Sequence, residues 1–180
     1  MPEKLSIEEV NRTDREEFVS RFGAVFERSP WVAEGAWQGR PFDGLDGLHA
    51  AFVRTVHDAP GERRVALIRA HPDLAGKAAL AGELTDESAN EQASAGLDRL
   101  SPQEYEEFHR LNAAYREKFG LPYVVCVRDN TKETIFAGAE ERLSNTREEE
   151  VEAALGEISR ISRLRLEDLI EESRITGRRQ

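Results

Sequence analysis

Few side chains in this sequence combine an unusual backbone setting with the ability to move protons, and His71 is foremost among them. It ends the apolar run Val65-Ala-Leu-Ile-Arg-Ala70 and precedes Pro72, which disfavours helical geometry at position 71 and should end the helix there. An imidazole at such a break can turn into a cavity, where it would act as a general acid or base near neutral pH. It can equally cap the helix C-terminus, where the macrodipole favours its cation. His49, His57 and His109 lack this setting.

Ser88, Glu91 and Gln92 fall at i, i+3 and i+4, so a helix would present a hydroxyl, a carboxylate and a carboxamide together. That trio suits a small polar ring, but it is also what the solvated face of an amphipathic helix looks like, with Ala89, Ala93, Leu97 and Leu100 opposite. Arg165 is a sharper signal. Advancing about 100° per residue from Val151 puts Leu155, Ile158, Ser162, Arg165 and Leu169 within about 40° of it on either side, so a permanent cation lies in an apolar stripe. A buried guanidinium needs either a structural acid such as Glu91 or an anionic ligand.

The run Tyr123-Val-Val-Cys-Val127 is apolar and strand-like, and Thr134-Ile-Phe136 could pair with it. It reads as core, or as backbone whose amides and carbonyls meet a ligand. Cys126, the only cysteine, has no cationic neighbour in sequence to activate it and reads as a packed thiol. His71 and Asp73 lack further partners at ligand spacing, so no metal is expected. There is no phosphate-binding glycine loop, dinucleotide fingerprint, HExxH or G-x-S-x-G.

The elements that must carry these groups are helical. Thr13 with Glu16 reads as a capping box before Phe18, Val19, Phe22 and Phe26, and Ser29-Pro30 as the break that ends that helix. Leu45 to His57 forms a second amphipathic helix. Ser101-Pro-Gln-Glu104 is the clearest start, opening a helix with Tyr105, Phe108, Asn112, Tyr115 and Phe119 on one face and Gly120 at its end. Thr146 with Glu149 opens the last helix, which runs toward Ile170. The expected fold is an all-α, compact bundle of about seven to eight helices in one domain spanning 1–180, with a core over about 15–170 and a flexible tail over 171–180.

Composition narrows the function. The 180 residues carry a net charge of −10, which argues against nucleic acid as a partner because phosphates demand clustered cations. The dense basic run Arg174 to Arg179 reads as a solvated tail. No apolar segment approaches the ~18 residues of a membrane span, and no signal peptide is evident, so a cytoplasmic location is expected.

Taken in order, His71-Pro-Asp-Leu-Ala-Gly-Lys77, Ser88-Ala-Asn-Glu-Gln92 with Ala95-Gly-Leu97, Leu111 to Tyr123, Arg142-Leu-Ser-Asn145 and Leu164-Arg-Leu166 resemble the 2-oxo-4-hydroxy-4-carboxy-5-ureidoimidazoline (OHCU) decarboxylase family over about residues 15–170. The resemblance implies an all-helical domain, usually a homodimer, that removes carbon dioxide from the anionic product of hydroxyisourate hydrolysis and yields (S)-allantoin without metal or organic cofactor. It further implies that His71, Glu91 and Arg165 form the catalytic set, with His71 as the acid/base and Arg165 matching the arginine of the family's C-terminal helix, and that Pro72, Ser88, Glu91, Gln92 and the Tyr123, Val124, Val125, Cys126 and Val127 backbone contact substrate. Functional pairing with a hydroxyisourate hydrolase would follow. Leu121 and Tyr123 stand where bulkier or different aromatics are expected, a departure that reshapes one pocket wall. Two other readings stay open at this point: a helical binding module docking a partner through an exposed apolar patch, and the same fold acting on a related ureido acid.

Overall fold

The computed structural model describes residues 3–171, apart from the side chains of residues 77 and 78; the basic run Arg174 to Arg179 lies outside them. The domain is all-α. Ten α-helices occur among the described residues: α1 (Ile7–Arg12), α2 (Arg15–Phe22), α3 (Trp31–Trp37), α4 (Leu45–Asp58), α5 (Gly61–Arg69), α6 (Lys77–Leu80), α7 (Asp86–Ser94), α8 (Pro102–Phe119), α9 (Lys132–Arg142) and α10 (Arg147–Leu169). All but the short α1 and α6 have seven residues or more. The only β-type pairing among the described residues is an isolated parallel bridge between Leu5 and Ile170.

Local chemistry sets most helix starts. At α8 the Ser101 hydroxyl accepts from the Glu104 amide at 3.1 Å while the Glu104 carboxylate accepts from the Ser101 amide at 3.1 Å. The reciprocal pair satisfies two amides that a helix start leaves bare. Thr146 and Glu149 do the same for α10. Ser101→Ala should cost about 1 kcal/mol, read as a lower urea midpoint at unchanged m-value. Gly120 then ends α8 at φ 65°, a left-handed conformation that glycine adopts without a Cβ clash.

The start of α2 differs from the expected box. Thr13 closes α1, its hydroxyl donating to the Val10 carbonyl at 2.7 Å, and the cap of α2 is Asp14, which accepts from the Glu17 amide. The helix stops at Phe22 rather than at Ser29-Pro30, so Phe26 belongs to the following loop and Pro30 leads into α3. Burial also begins before residue 15, at the fully buried Val10.

Two aromatic clusters fill the interior. Phe18, Phe22, Phe26, Phe42 and Phe52 stack at centroid separations of 4.9 to 6.4 Å, holding α2 and α4 together beside α3. Tyr115, Phe119 and Tyr123 form the second. Next to it lies Glu150, fully buried. Its carboxylate takes a hydrogen bond from the Tyr115 hydroxyl, an ion pair from Arg142 Nε at 2.6 Å and a bond from Asn145 Nδ2 at 3.1 Å. The same Arg142 reaches the Val124 carbonyl from Nη1 at 2.5 Å. The Arg142-Leu-Ser-Asn145 segment thus fixes the backbone of the 123–127 run.

That run is extended, but it is not a strand. The segment that could have paired with it, Thr134 to Phe136, lies inside α9, which Thr131 and Thr134 cap reciprocally. Backbone groups of the run are met by side chains instead: Glu157 accepts from the Cys126 amide at 3.2 Å and Asn130 donates to the Cys126 carbonyl at 2.8 Å. Among the described residues, the amides of Val124 and Val125 have no hydrogen-bond acceptor.

Candidate active site

The C-terminal end of α5, the inward face of α7, the 123–127 run and the middle of α10 converge on a small cavity of about 30 Å³. It is lined by His71, Pro72, Ser88, Glu91, Gln92, Tyr123 to Val127, Arg128 and Arg165, with Leu74 and Ile161. Every residue singled out from the sequence as a site candidate is therefore on one wall or another, although the segments are as far apart in the chain as positions 71 and 165.

His71 follows the last turn of α5, its amide bonding the Ile68 carbonyl at 3.1 Å. Its Nδ1 lies 3.1 Å from the Leu67 carbonyl. A carbonyl can only accept, so the proton sits on Nδ1 and Nε2 is left with a free lone pair. The residue does cap its helix, but as a neutral imidazole. Burial pushes its pKa down to about 4, against the opposing pull of Glu27 and the Leu67 bond.

This depressed value has a consequence for stability. The unfolded chain's histidine protonates near ~6.5, before the folded one does, so the folded state's advantage is full above that pH and shrinks as pH falls toward 4. His71→Asn should therefore lose less stability than the wild type between pH 7 and pH 4.5 in urea melts. Identical pH profiles for the two proteins would refute the buried neutral imidazole.

On α7, the polar trio faces inward, opposite to a solvated helix face: Ser88 and Gln92 are buried and Glu91 is half-buried, while Ala89 is exposed. Gln92 Oε1 accepts from the Ala75 amide at 3.0 Å, and Asn112 Nδ2 donates to the Leu74 carbonyl at 2.9 Å. Arg116 pairs with Asp73 at 3.1 Å. Those three contacts pin the loop that carries Pro72 beneath the imidazole.

Arg165 is 5% exposed, and the acid that burial demands is Glu91, at 2.6 and 3.1 Å. A second carboxylate, Glu27, escaped sequence reasoning. It sits in the loop between α2 and α3, 2% exposed, and takes bonds from Arg165 Nη1 and Nη2 at 3.1 Å each, from Thr85 Oγ1 at 2.6 Å and from Ser88 Oγ at 3.0 Å. Burial raises its pKa, but the Thr85 bond and the Arg165 charge outweigh that and hold it below the usual range. Nothing local marks Glu27, since its partners lie 58 to 138 positions away. Arg165 Nη1 also reaches the carbonyls of Ala24 and Val25, so the guanidinium is fully engaged.

Cys126 is a packed thiol, its pKa pushed up to about 11 by burial and by Asp129. Tyr123 donates to the Ile135 carbonyl at 3.1 Å, which turns its hydroxyl into the core.

A helical domain holding a small, largely apolar cavity into which a few polar groups remote in sequence converge is the architecture of a small-molecule enzyme. A docking module would instead expose an apolar patch. Leu80 is the one large apolar side chain exposed among the described residues. The family described as OHCU decarboxylase matches residues 11–167, and the chain belongs to that family. Among its relatives, the 2-oxo-4-hydroxy-4-carboxy-5-ureidoimidazoline decarboxylase of Halalkalicoccus jeotgali is 46% identical over 92% of each chain. The mouse protein of the same name is 39% identical over 92% of this chain and 93% of its own. A solved (S)-allantoin synthase superposes with a TM-score of 0.76 at 27% identity, covering 94% of this chain and 55% of that one.

Proposed function

We propose that this chain decarboxylates 2-oxo-4-hydroxy-4-carboxy-5-ureidoimidazoline to (S)-allantoin in urate breakdown, with His71 as the general acid/base. The observation that carries the reading is the convergence of His71, Ser88, Glu91, Gln92 and the 123–127 backbone on one cavity in a chain whose relatives bear this decarboxylase name.

The chemistry follows from the substrate. Its C4 carries a hydroxyl and a carboxylate, and the neighbouring C5 is part of a ring imine. When the C4–carboxylate bond breaks, carbon dioxide leaves and the electron pair forms a C4–C5 double bond, pushing charge onto the imine nitrogen. The ring itself is the electron sink, so no organic cofactor or metal is called upon. The resulting enol, with its anionic ring nitrogen, becomes allantoin when C5 and that nitrogen each gain a proton and the hydroxyl loses one, so that one proton in all is drawn from solvent. His71 Nε2 is the free base that takes the hydroxyl proton and supplies one to C5.

In this reading Glu91 accepts from the ureido N–H groups, held in place by Arg165. Ser88 and the free side of Gln92 bond the ring, and the unpartnered amides of Val124 and Val125 receive its carbonyl oxygen. These contacts fix the face on which C5 is protonated, which sets the product's handedness. Pro72 and Leu74 close the wall behind the ring.

The finer expectations of a homodimer and a cytoplasmic location belong to the same reading; no described helix is long and apolar enough to cross a membrane. Work beside another urate-breakdown enzyme, with a hydroxyisourate hydrolase as the expected neighbour, is supported by a Bacillus subtilis relative, 39% identical over 93% of this chain, that is named a bifunctional uric acid degradation protein. The test is to add the chain to freshly generated hydroxyisourate hydrolase product and follow carbon dioxide release and optical rotation. Release matching an enzyme-free control, or racemic product, would exclude the assignment; a different optically active product would point to a related ureido acid.

A further inference from the structure

Charge in the cavity does not balance for an anionic substrate. Arg165 contributes one positive charge, Glu27 and Glu91 contribute two negative ones through their ion pairs with it, and His71 is neutral. The carboxylate of a substrate would therefore enter a site already negative by one, and Arg165 has no donor left to offer it. A second guanidinium lines the same cavity. Arg128 follows the 123–127 run directly and borders both the cavity and the shallow pocket outside it, which Glu87, Glu91, Arg165 and Asp168 share. Its partner is Asp168, held at 2.7 and 3.2 Å through both terminal nitrogens. That acid is 59% exposed and Arg128 is 31% exposed.

We propose that Arg128, on exchanging Asp168 for the ligand, is the residue that receives the substrate's carboxylate. The proposal rests on the decarboxylase reading and adds to it a specificity residue. Two physical arguments favour this guanidinium. An exposed ion pair contributes little stability, so its exchange for another carboxylate in the same bidentate geometry is easy. Decarboxylation also drains negative charge out of the carboxylate and into the ring. A deeply buried cation clamped on that group would stabilise the ground state more than the transition state and slow the step. A half-exposed cation at the rim captures the anion and can let it go as neutral carbon dioxide, while the buried Arg165 stays bound to its two acids.

The experiment is steady-state kinetics on the ureidoimidazoline together with inhibition by (S)-allantoin, which has no carboxylate. Arg128→Met should raise KM about ten- to hundredfold, the scale of a lost charge-assisted contact. Its kcat should change by far less, and inhibition by (S)-allantoin should be unaltered. Arg128→Lys should fall between Met and wild type. Asp168→Asn, which frees Arg128, should lower KM. An active wild type whose Arg128→Met variant keeps its KM, or loses allantoin affinity in the same proportion, overturns the Arg128 assignment alone. A wild type inert toward the ureidoimidazoline overturns the decarboxylase reading beneath it.

Discussion

His71→Asn is expected to lower kcat for ureidoimidazoline decarboxylation by about 10²–10⁴, the usual contribution of a positioned acid/base, with a smaller change in KM. Asparagine is the informative replacement because its amide can still donate to the Leu67 carbonyl that Nδ1 reaches at 3.1 Å. It keeps the helix end capped and removes only the Nε2 lone pair. The residual reaction should also lose its handedness, since a planar enol protonated by water has no preferred face. Stopped assays of carbon dioxide paired with chiral analysis of allantoin measure both effects. A variant that turns over as fast as the wild type removes His71 from the chemistry. A slow variant that still gives pure (S)-allantoin would assign protonation of C5 to another group and leave His71 with the hydroxyl proton.

The free enzyme's imidazole is already in the basic form at neutral pH, because burial lowers its pKa to about 4. The kcat/KM profile should accordingly stay level as pH falls from 8 to about 5, with no inflection near the ordinary histidine value of ~6.5. His71→Asn should remove any acid limb that wild type shows below that range.

How much of this could be seen in the sequence depended on how local each determinant was. The starts of α8 and α10 were legible because Ser101 with Glu104 and Thr146 with Glu149 satisfy each other within one turn. Thr13 failed as a cap by a single residue: two good cap residues are adjacent, and the Thr13 hydroxyl is already spent on the Val10 carbonyl, which leaves the task to Asp14. The strand-like look of 123–127 comes from its β-branched composition, but strands need partners, and Thr134 to Phe136 is claimed by the Thr131–Thr134 box. What remained was extended backbone held by Arg142, Asn130 and Glu157.

The site showed the same division. Arg165 was visible because a cation in an apolar stripe is anomalous on its own helix, whereas the inward turn of the Ser88 face required knowing what packs on α7. Glu27 was invisible for the opposite reason. An acid in a loop is ordinary until the fold buries it against a guanidinium that lies 138 positions later in the chain.

Arg165→Met should destabilise the chain by about 3–5 kcal/mol, because it strands a buried carboxylate. For a chain of this size that is a fall in Tm of roughly 6–20 °C. Methionine preserves much of the volume, so the loss reports charge: Glu27, 2% exposed, would keep only the Thr85 and Ser88 hydroxyls as donors. The compensating change follows from the same geometry. Glu27→Gln in the Arg165→Met background removes the stranded charge and should recover a good part of the stability, while Glu27→Gln alone should destabilise, giving a strongly non-additive cycle by thermal or urea unfolding. Activity should not return in the double variant, since Glu91 also loses its 2.6 Å hold on Arg165 and with it a fixed position beside the ring. Arg165→Met that melts with the wild type would mean the guanidinium is not needed by its two acids, and its charge would then be free to meet the substrate in place of Arg128.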